Sequence, residues 1–446
     1  MAGSLRSNRA LVAICAFTVA LGIVNAARYP PGLGYDAVAH MQYADGLVPG
    51  GHLPPPEQNG VITEYYTPPG YYAVAGFADW IARGLGASAY GAHRAGMALN
   101  VLFVLATVLL VYGTARELWP GRPRVALGAA AFAALLPVTV KTEAMFHPET
   151  MSLALATLAL WLCVRTFRNP RYAVPLGAAL GAGQLVRQAA LWTVAAVLVA
   201  LVAGRRWRAL VPVVVLAVLI PLPWYVHQYD RYGGDPIFPR PPTPLARKGK
   251  VEAGKPKPIW DRQPWQFYFD PGLPKVITAP YAPSFGSSSG GLAIPITYSE
   301  LWGDYEGVWD WKGQLLQTPQ GVHYENVPKG YEKARLVVQS LVGLLPTLLA
   351  VAGWLALVRS SIRRPPRLAV ALLPLVGLLG YLYFTVSYPT PGGDTLKATY
   401  MLTTLGGWAL GFGYALDRLR GRAWTIALAV LGVCVLAELP FLVYSA

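Results

Sequence analysis

The chain has 446 residues, of which 54% are hydrophobic and only 13% charged, with a mean hydropathy of +0.39, a balance that excludes an ordinary soluble globular protein. The formal net charge is +15, but the arginines sit in short turns between apolar runs, which is how a membrane protein is oriented, and this excludes nucleic acid as the partner behind the charge. The three cysteines, Cys15, Cys163 and Cys434, all lie inside apolar runs, where a thiol behaves as a small hydrophobe.

Apolar runs long enough to cross a hydrocarbon core of about 30 Å recur along the chain. They predict eleven transmembrane helices, over 10–27, 93–115, 124–140, 148–165, 172–186, 189–204, 209–226, 336–358, 367–387, 399–416 and 423–443. The first run follows Arg6 and Arg9 and has features of a secretory signal, but its length, and a topology that closes only if it is retained, predict a span. With the N-terminus cytoplasmic, Arg116/Arg122/Arg124, Arg165/Arg168/Arg171, Arg205/Arg206/Arg208, Arg359/Arg363/Arg364/Arg367 and Arg418/Arg420/Arg422 all fall on the inner side. The outer side then holds two long segments, 28–92 and 227–335, rich in Trp, Tyr, Pro, Gly, His and carboxylates. Any chemistry is expected there, within a single domain spanning 1–446.

The first outer segment opens with GYDAVAHMQYADGL, residues 34–47. Read as a helix, it aligns Asp36, His40 and Tyr43 along one side. A wet polar face explains these residues as readily as a general base with a neighbouring imidazole, and Asp45 fits a solvated helix end. EYYTPPGYYAV, residues 64–74, follows. Glu64, Tyr65, Tyr66 and Tyr71 suit either an aromatic interface belt or a sugar-binding floor. Residues 69–85 are apolar enough for a further span, but Asp79 and Arg83 favour a helix lying along the interface.

The outer turn VKTEAMFHPETM, residues 140–151, carries Lys141, Glu143, His147 and Glu149, with Pro148 restarting the helix. Lys141 and Glu143 fit a membrane border, whereas His147 and Glu149 suit a site. With Asp36 and His40 they leave a divalent cation as an open alternative, although no tight ligand spacing favours one. Arg187 and Gln188 form the crest between two spans, and Lys397 closes PGGDTLKATY, residues 391–400, three residues after Asp394. Each cation either snorkels to headgroups or binds a phosphate. In the large loop, residues 239–258 read as an extended strap, and ITYSELWGDYEGVWDW, residues 296–311, with Trp302 and Asp304, reads as an amphipathic lid.

In this order and on this side, the Asp36 helix, the PPGYY helix, the HPE turn, the WGDY segment and the GDTLKATY turn resemble the lipid-linked-sugar-dependent glycosyltransferases of the GT-C fold. The likeness is to bacterial family-39-like members, relatives of protein O-mannosyltransferases and aminoarabinose transferases. The resemblance covers most of the chain, and each motif is short. One departure stands out: Asp36 is followed by Ala37, so the second acid of the usual Asp-Glu pair is missing, which weakens any pair-based metal site.

The resemblance implies an all-α polytopic GT-C-like bundle in a bacterial plasma membrane, with its active site on the outer face. It implies an inverting enzyme that takes a sugar from a polyprenyl-phosphate donor to an acceptor hydroxyl on a protein, glycolipid or polysaccharide. Asp36 would be the base. Arg187, Lys397, His40 and His147 would hold the donor phosphate. Glu64, Tyr65, Tyr66, Tyr71, Glu143, Glu149, Gln188, Trp302, Asp304 and Asp394 would line the substrate site. A transporter or flippase, and a non-catalytic scaffold that binds envelope lipid, are the alternatives. Against a transporter, no inverted repeat is evident and ionisable residues avoid the middles of the spans.

Overall fold

The computed structural model describes residues 2–53, 64, 66–232, 264–281, 292–307, 309, 315–318, 321–324, 330–362, 364–387, 396–437 and 439. In chain order the helices are α1 (Ala2–Arg28), α2 (Ala37–Leu47), α3 (Gly70–Gly84), α4 (Ala89–Leu118), α5 (Pro123–Leu135), α6 (Pro137–Ala144) and α7 (Glu149–Thr166). They continue as α8 (Ala173–Gln184), α9 (Ala190–Ala203), α10 (Trp207–Leu219) and α11 (Leu222–Tyr232). The large loop contributes α12 (Trp265–Phe269), α13 (Leu273–Thr278), α14 (Ala293–Trp302) and a two-stranded antiparallel hairpin, β1 (Leu315–Thr318) and β2 (Gly321–Tyr324). The last bundle comprises α15 (Tyr331–Val342), α16 (Leu344–Ser361), α17 (Leu368–Ser387), α18 (Leu405–Leu416) and α19 (Arg422–Leu436).

Helix is found within each of the eleven expected spans, and the bundle is an all-α membrane architecture. Among the described residues, five helical stretches are long and apolar enough to cross unaided: Asn8–Arg28, Ala89–Leu118, Trp207–Asp230, Tyr331–Ser361 and Pro365–Val386. The α5–α6 pair, bent by 49°, makes a sixth if it counts as one span. The remaining expected spans are shorter helices. Among them, α18 is an interior helix: every residue from Leu405 to Leu416 is buried except Trp408, because α18 packs between α5, α16 and α17.

The bend corrects the sequence reading of 124–140 as one straight span. Pro137 has no amide to donate and forces the residue before it out of helical conformation, so Leu136 is extended at φ −70 and ψ 123. The helix restarts at Pro137, and Lys141 and Glu143 therefore lie on α6, both buried, and not in an outer turn. The turn proper is confined to the four residues between α6 and α7.

Close packing of α16 on α18 depends on glycine. A Cβ built on Gly353 would overlap the Gly411 carbonyl oxygen. Gly353→Ala is therefore expected to destabilise the bundle by about 1–3 kcal/mol. Thermal unfolding in detergent checks this, and an unchanged midpoint would show that α16 can retreat freely.

The arginine turns touch one another at one end of the bundle. Arg165 Nε lies 3.7 Å from Glu117 and Arg168 also pairs with Glu117. Arg206 donates to the Phe167 carbonyl at 2.6 Å, Arg122 lies 3.4 Å from Asp417, and Arg367 sits 5.2 Å from the Trp119 ring centroid. The sharing of one end is what the charge pattern predicts.

Candidate active site

At the other end, four segments converge. Asp36 caps α2 in the left-handed region, at φ 51. The preceding Gly34 is also left-handed, at φ 113, and a Cβ there would press on Met145. The expected helix over 34–47 thus begins at Ala37, leaving the Asp36 side chain at its mouth, 40% exposed. Lys397, just ahead of a 3₁₀ turn at Ala398–Thr404, places Nζ 3.1 Å from Asp36 Oδ2. Its ammonium also lies 4.9 Å from the Tyr35 ring centroid and 5.9 Å from that of Tyr400.

Arg187 approaches from the crest between α8 and α9, 5.9 Å from the same Tyr400 ring. Its Nε donates to Glu149 Oε1 at 2.8 Å, and its other end reaches Glu64 Oε2 at 3.7 Å. The crest and the Pro-Pro turn are stitched together: the Gly70 amide donates to the Leu185 carbonyl at 2.7 Å, and a Cβ on Gly70 would clash with that carbonyl. Gln188 Nε2 donates to the Tyr66 carbonyl at 3.1 Å.

Two buried histidines floor the cluster. His40 and His147 pack edge to face at 4.8 Å, and His40 Nδ1 shares a hydrogen bond with Tyr72 Oη at 2.8 Å. Tyr72 in turn stacks on Tyr43 at 3.9 Å.

The electrostatics separate these groups by role. The Lys397 ammonium holds the Asp36 carboxyl below the usual carboxylate range despite its partial burial, so Asp36 is ionised at neutral pH. Burial, with Arg187 close by, pushes His40 down to about 3, and burial holds His147 well below its ordinary value. Both rings are neutral at physiological pH and so act as hydrogen-bonding groups, not as cations. For Arg187, burial opposes the charge but Glu149 and Glu64 outweigh it; for Lys397, Tyr400 and Asp36 do the same. Two full cations therefore flank one ionised carboxylate.

Glu64 is the group that titrates in the physiological range, since burial pushes it up to about 7 against the pull of Arg187. Below that pH it is neutral and leaves the Nη1 end of Arg187 to face an anion while Nε stays on Glu149; above it, the carboxylate competes. Affinity for a singly charged phosphodiester is accordingly expected to weaken as pH rises from 6 to 8, and Glu64→Gln to flatten the dependence. Binding isotherms at several pH values check this, and an unchanged slope in the variant would rule Glu64 out.

The structure thus brings together Asp36, His40, Glu64, Tyr66, His147, Glu149, Arg187, Gln188 and Lys397. Four candidates lie apart from the carboxylate. Glu143 faces α1, where a Cβ on Gly22 would strike its carboxyl. Tyr71 packs inward against Phe146 at 5.6 Å. Trp302 is buried, with Nε1 donating to Thr347 Oγ1 at 2.8 Å, along an apolar cavity. Asp304 is buried and accepts from the Trp309 amide at 2.7 Å. Tyr65 and Asp394 lie outside the described residues, as does the strap 239–258.

The surroundings of two acids and a lysine also differ from expectation. Asp45 pairs with Arg83, and Asp79 is buried with Oδ2 2.7 Å from His93 Nδ1, so these groups lock α2, α3 and α4 together. Lys141, expected at a membrane border, is fully buried. It donates to the Glu300 and Gly303 carbonyls at 2.9 and 2.6 Å and pairs with the Glu300 carboxylate, which also accepts from Tyr35 Oη. Among the described residues no group of three or more His, Cys, Asp or Glu side chains is placed to hold a metal ion. Glu149 is taken up by Arg187, and the two histidines face each other.

Tyr35, Tyr72 and Tyr400 stand inside the motifs of residues 34–47, 64–74 and 391–400 without a role of their own in the sequence, and Glu300 belongs with Asp304, Glu306 and Asp310 to the acidic residues of the expected lid over 296–311. Membership of a motif is the only signal the sequence offers for the three tyrosines.

A family model described as dolichyl-phosphate-mannose-protein mannosyltransferase matches residues 76–227. No curated protein matches the sequence. Among solved structures, ArnT from Cupriavidus metallidurans in the apo state aligns over 93% of this chain and 61% of its own, at 16% identity and a TM-score of 0.52. An Archaeoglobus fulgidus oligosaccharyltransferase, tethered with an acceptor peptide containing the NVT sequon via a disulfide bond, aligns over 92% of this chain and 49% of its own, at 15% identity and a TM-score of 0.52. The present chain therefore spans less than two thirds of the first protein and about half of the second. The shared architecture is the GT-C fold, and it is the fold of this chain.

Proposed function

We propose that this GT-C chain is an inverting glycosyltransferase that moves a sugar from a polyprenyl-phosphate donor to an acceptor hydroxyl on the outer face of the membrane. One observation carries the reading: an ionised carboxylate, Asp36, is held 3.1 Å from Lys397, with Arg187 beside them, at the end of the bundle away from the arginine turns. The matched family description supports a lipid-phosphate donor. So does an apolar cavity of about 170 Å³ that begins one residue beyond Lys397, at Ala398 and Met401, and continues past Leu402, Trp302 and Trp408. A lipid chain seated there would leave its phosphate beside the ammonium.

In the proposed reaction the acceptor hydroxyl gives its proton to Asp36 as its oxygen bonds to the anomeric carbon. The bond from that carbon to the phosphate oxygen breaks on the opposite face, and the configuration inverts. The polyprenyl phosphate leaves with one more negative charge, which Lys397 and Arg187 stabilise. His40 and His147, both neutral, would supply hydrogen bonds. Because Lys397 is paired with Asp36 before donor binds, a phosphate that draws the ammonium away also removes the charge that keeps the carboxyl a weak base. Donor binding would thereby raise the basicity of Asp36.

The test is transfer by the purified protein from synthetic polyprenyl-phosphate sugars, with the anomeric configuration of the product read by NMR. Inverted product is the expected result. Transfer from nucleotide sugars alone, or retained configuration, would refute the proposal.

A further inference from the structure

The arginine end of the bundle contains a cleft that the reaction does not use. Arg122, Arg124, Arg418 and Arg420 line a recess of about 550 Å³ together with Asp417, the one acidic residue in its wall. Four guanidinium groups therefore face one carboxylate. Several of the surrounding cations are seated on aromatic rings: Arg418 lies 3.7 Å from the Tyr414 ring centroid and donates to the Tyr414 carbonyl at 3.0 Å, and Arg124 lies 5.8 Å from Trp424. The close Tyr414 contact holds Arg418 at the rim of the recess, and a guanidinium seated on a ring keeps donors on its outer edge for a ligand.

The location narrows the ligand. The α5–α6 pair begins between the cleft residues Arg122 and Arg124 and ends at Ala144, three residues before His147, and the 3₁₀ turn that follows Lys397 leads into α18, which ends just before Asp417. Site and cleft thus lie at opposite ends of the same helices, and hence at opposite membrane surfaces. From Arg422 an uncovered stripe follows α19 through Ile426, Ala429, Val433 and Leu436, at spacings of four and three, all exposed. Orienting the chain requires only positive charge on this side. It does not require four arginines gathered around one recess, nor a recess that ends at Gly421 where the apolar face of α19 begins.

We infer that this cleft binds the phosphodiester headgroup of an anionic phospholipid, whose acyl chain lies along the exposed stripe of α19. The chemistry shared with free phosphate is the anionic oxygen fork that arginine recognises in two-pronged fashion. The apolar track distinguishes a lipid.

Native mass spectrometry of the full chain, released from detergent with added phosphatidylglycerol or phosphatidylcholine, provides the test. Wild-type protein is expected to retain phosphatidylglycerol in preference to phosphatidylcholine. Arg124→Gln/Arg418→Gln/Arg420→Gln is expected to lower that retention by on the order of 10- to 100-fold. Asp417→Asn, which removes the opposing carboxylate, is expected to raise it. Arg165→Gln/Arg168→Gln/Arg171→Gln removes equal charge from a turn that does not line the cleft, and should change little. Equal loss in this control, no preference between the two lipids, or displacement of phosphatidylglycerol by millimolar inorganic phosphate would overturn the proposal. The expected gain in Asp417→Asn keeps the test decisive should the triple variant fail to fold.

Discussion

Asp36→Asn is expected to lower sugar transfer by about 10²- to 10⁴-fold, the usual effect of removing a positioned base, while leaving thermal stability near that of the wild type. The choice of asparagine follows from the backbone. Asp36 sits at φ 51, a left-handed conformation that asparagine and aspartate tolerate better than other residues with a side chain. Asparagine therefore removes the charge without disturbing the cap of α2, and its amide oxygen can still accept from the Lys397 ammonium, which is only 14% exposed. Asp36→Ala should add a backbone penalty of about 1 kcal/mol. An Asp36→Asn protein with near-normal turnover would remove Asp36 from the mechanism.

Lys141→Met is expected to have the largest effect on stability. The lysine is fully buried, and its ammonium holds the Glu300 carboxylate and two carbonyls of the α14 segment. Without it, the Glu300 carboxylate remains in the interior with Asp304 nearby and no cation. Breaking a buried pair in this way costs about 3–5 kcal/mol, and denaturant unfolding in detergent should show it. Burial already holds the Glu300 carboxyl above its usual range even with the lysine present, so the variant should lose most stability at higher pH, where the acid must ionise. Lys141→Met/Glu300→Leu should recover part of the loss, because an apolar pair needs no compensation. If Lys141→Met unfolded at the wild-type midpoint, the pair would contribute nothing to holding α14 on the bundle.

Much of this was legible in the sequence, and the limits are physical. Apolar run length located the helices of the bundle, five of them long enough to cross unaided, because crossing hydrocarbon is a requirement on each segment alone. Arginine spacing showed which turns share an end. Run length cannot see a proline that bends a span, so it predicts one straight helix over 124–140 and a turn at Lys141. The Asp36, Arg187 and Lys397 cluster was legible because charges on the arginine-poor side are costly to keep there without a use. By contrast, Glu143, Trp302 and Asp304 were chosen for residue type, and side chains of these types also serve interior packing. Tyr35 and Glu300 meet across 265 residues, a contact no local pattern encodes. The protonation states of His40 and Glu64 likewise depend on burial, which no sequence motif specifies.

The central claim is that Lys397 exchanges Asp36 for a lipid phosphate. Its most direct test is an experimental structure of the protein with polyprenyl phosphate bound. The account predicts a phosphate between the Lys397 ammonium and the Arg187 guanidinium, the Asp36 contact opened, and the prenyl chain along the cavity lined by Met401 and Trp302. A phosphate bound elsewhere, with the Asp36–Lys397 pair still closed, would contradict it.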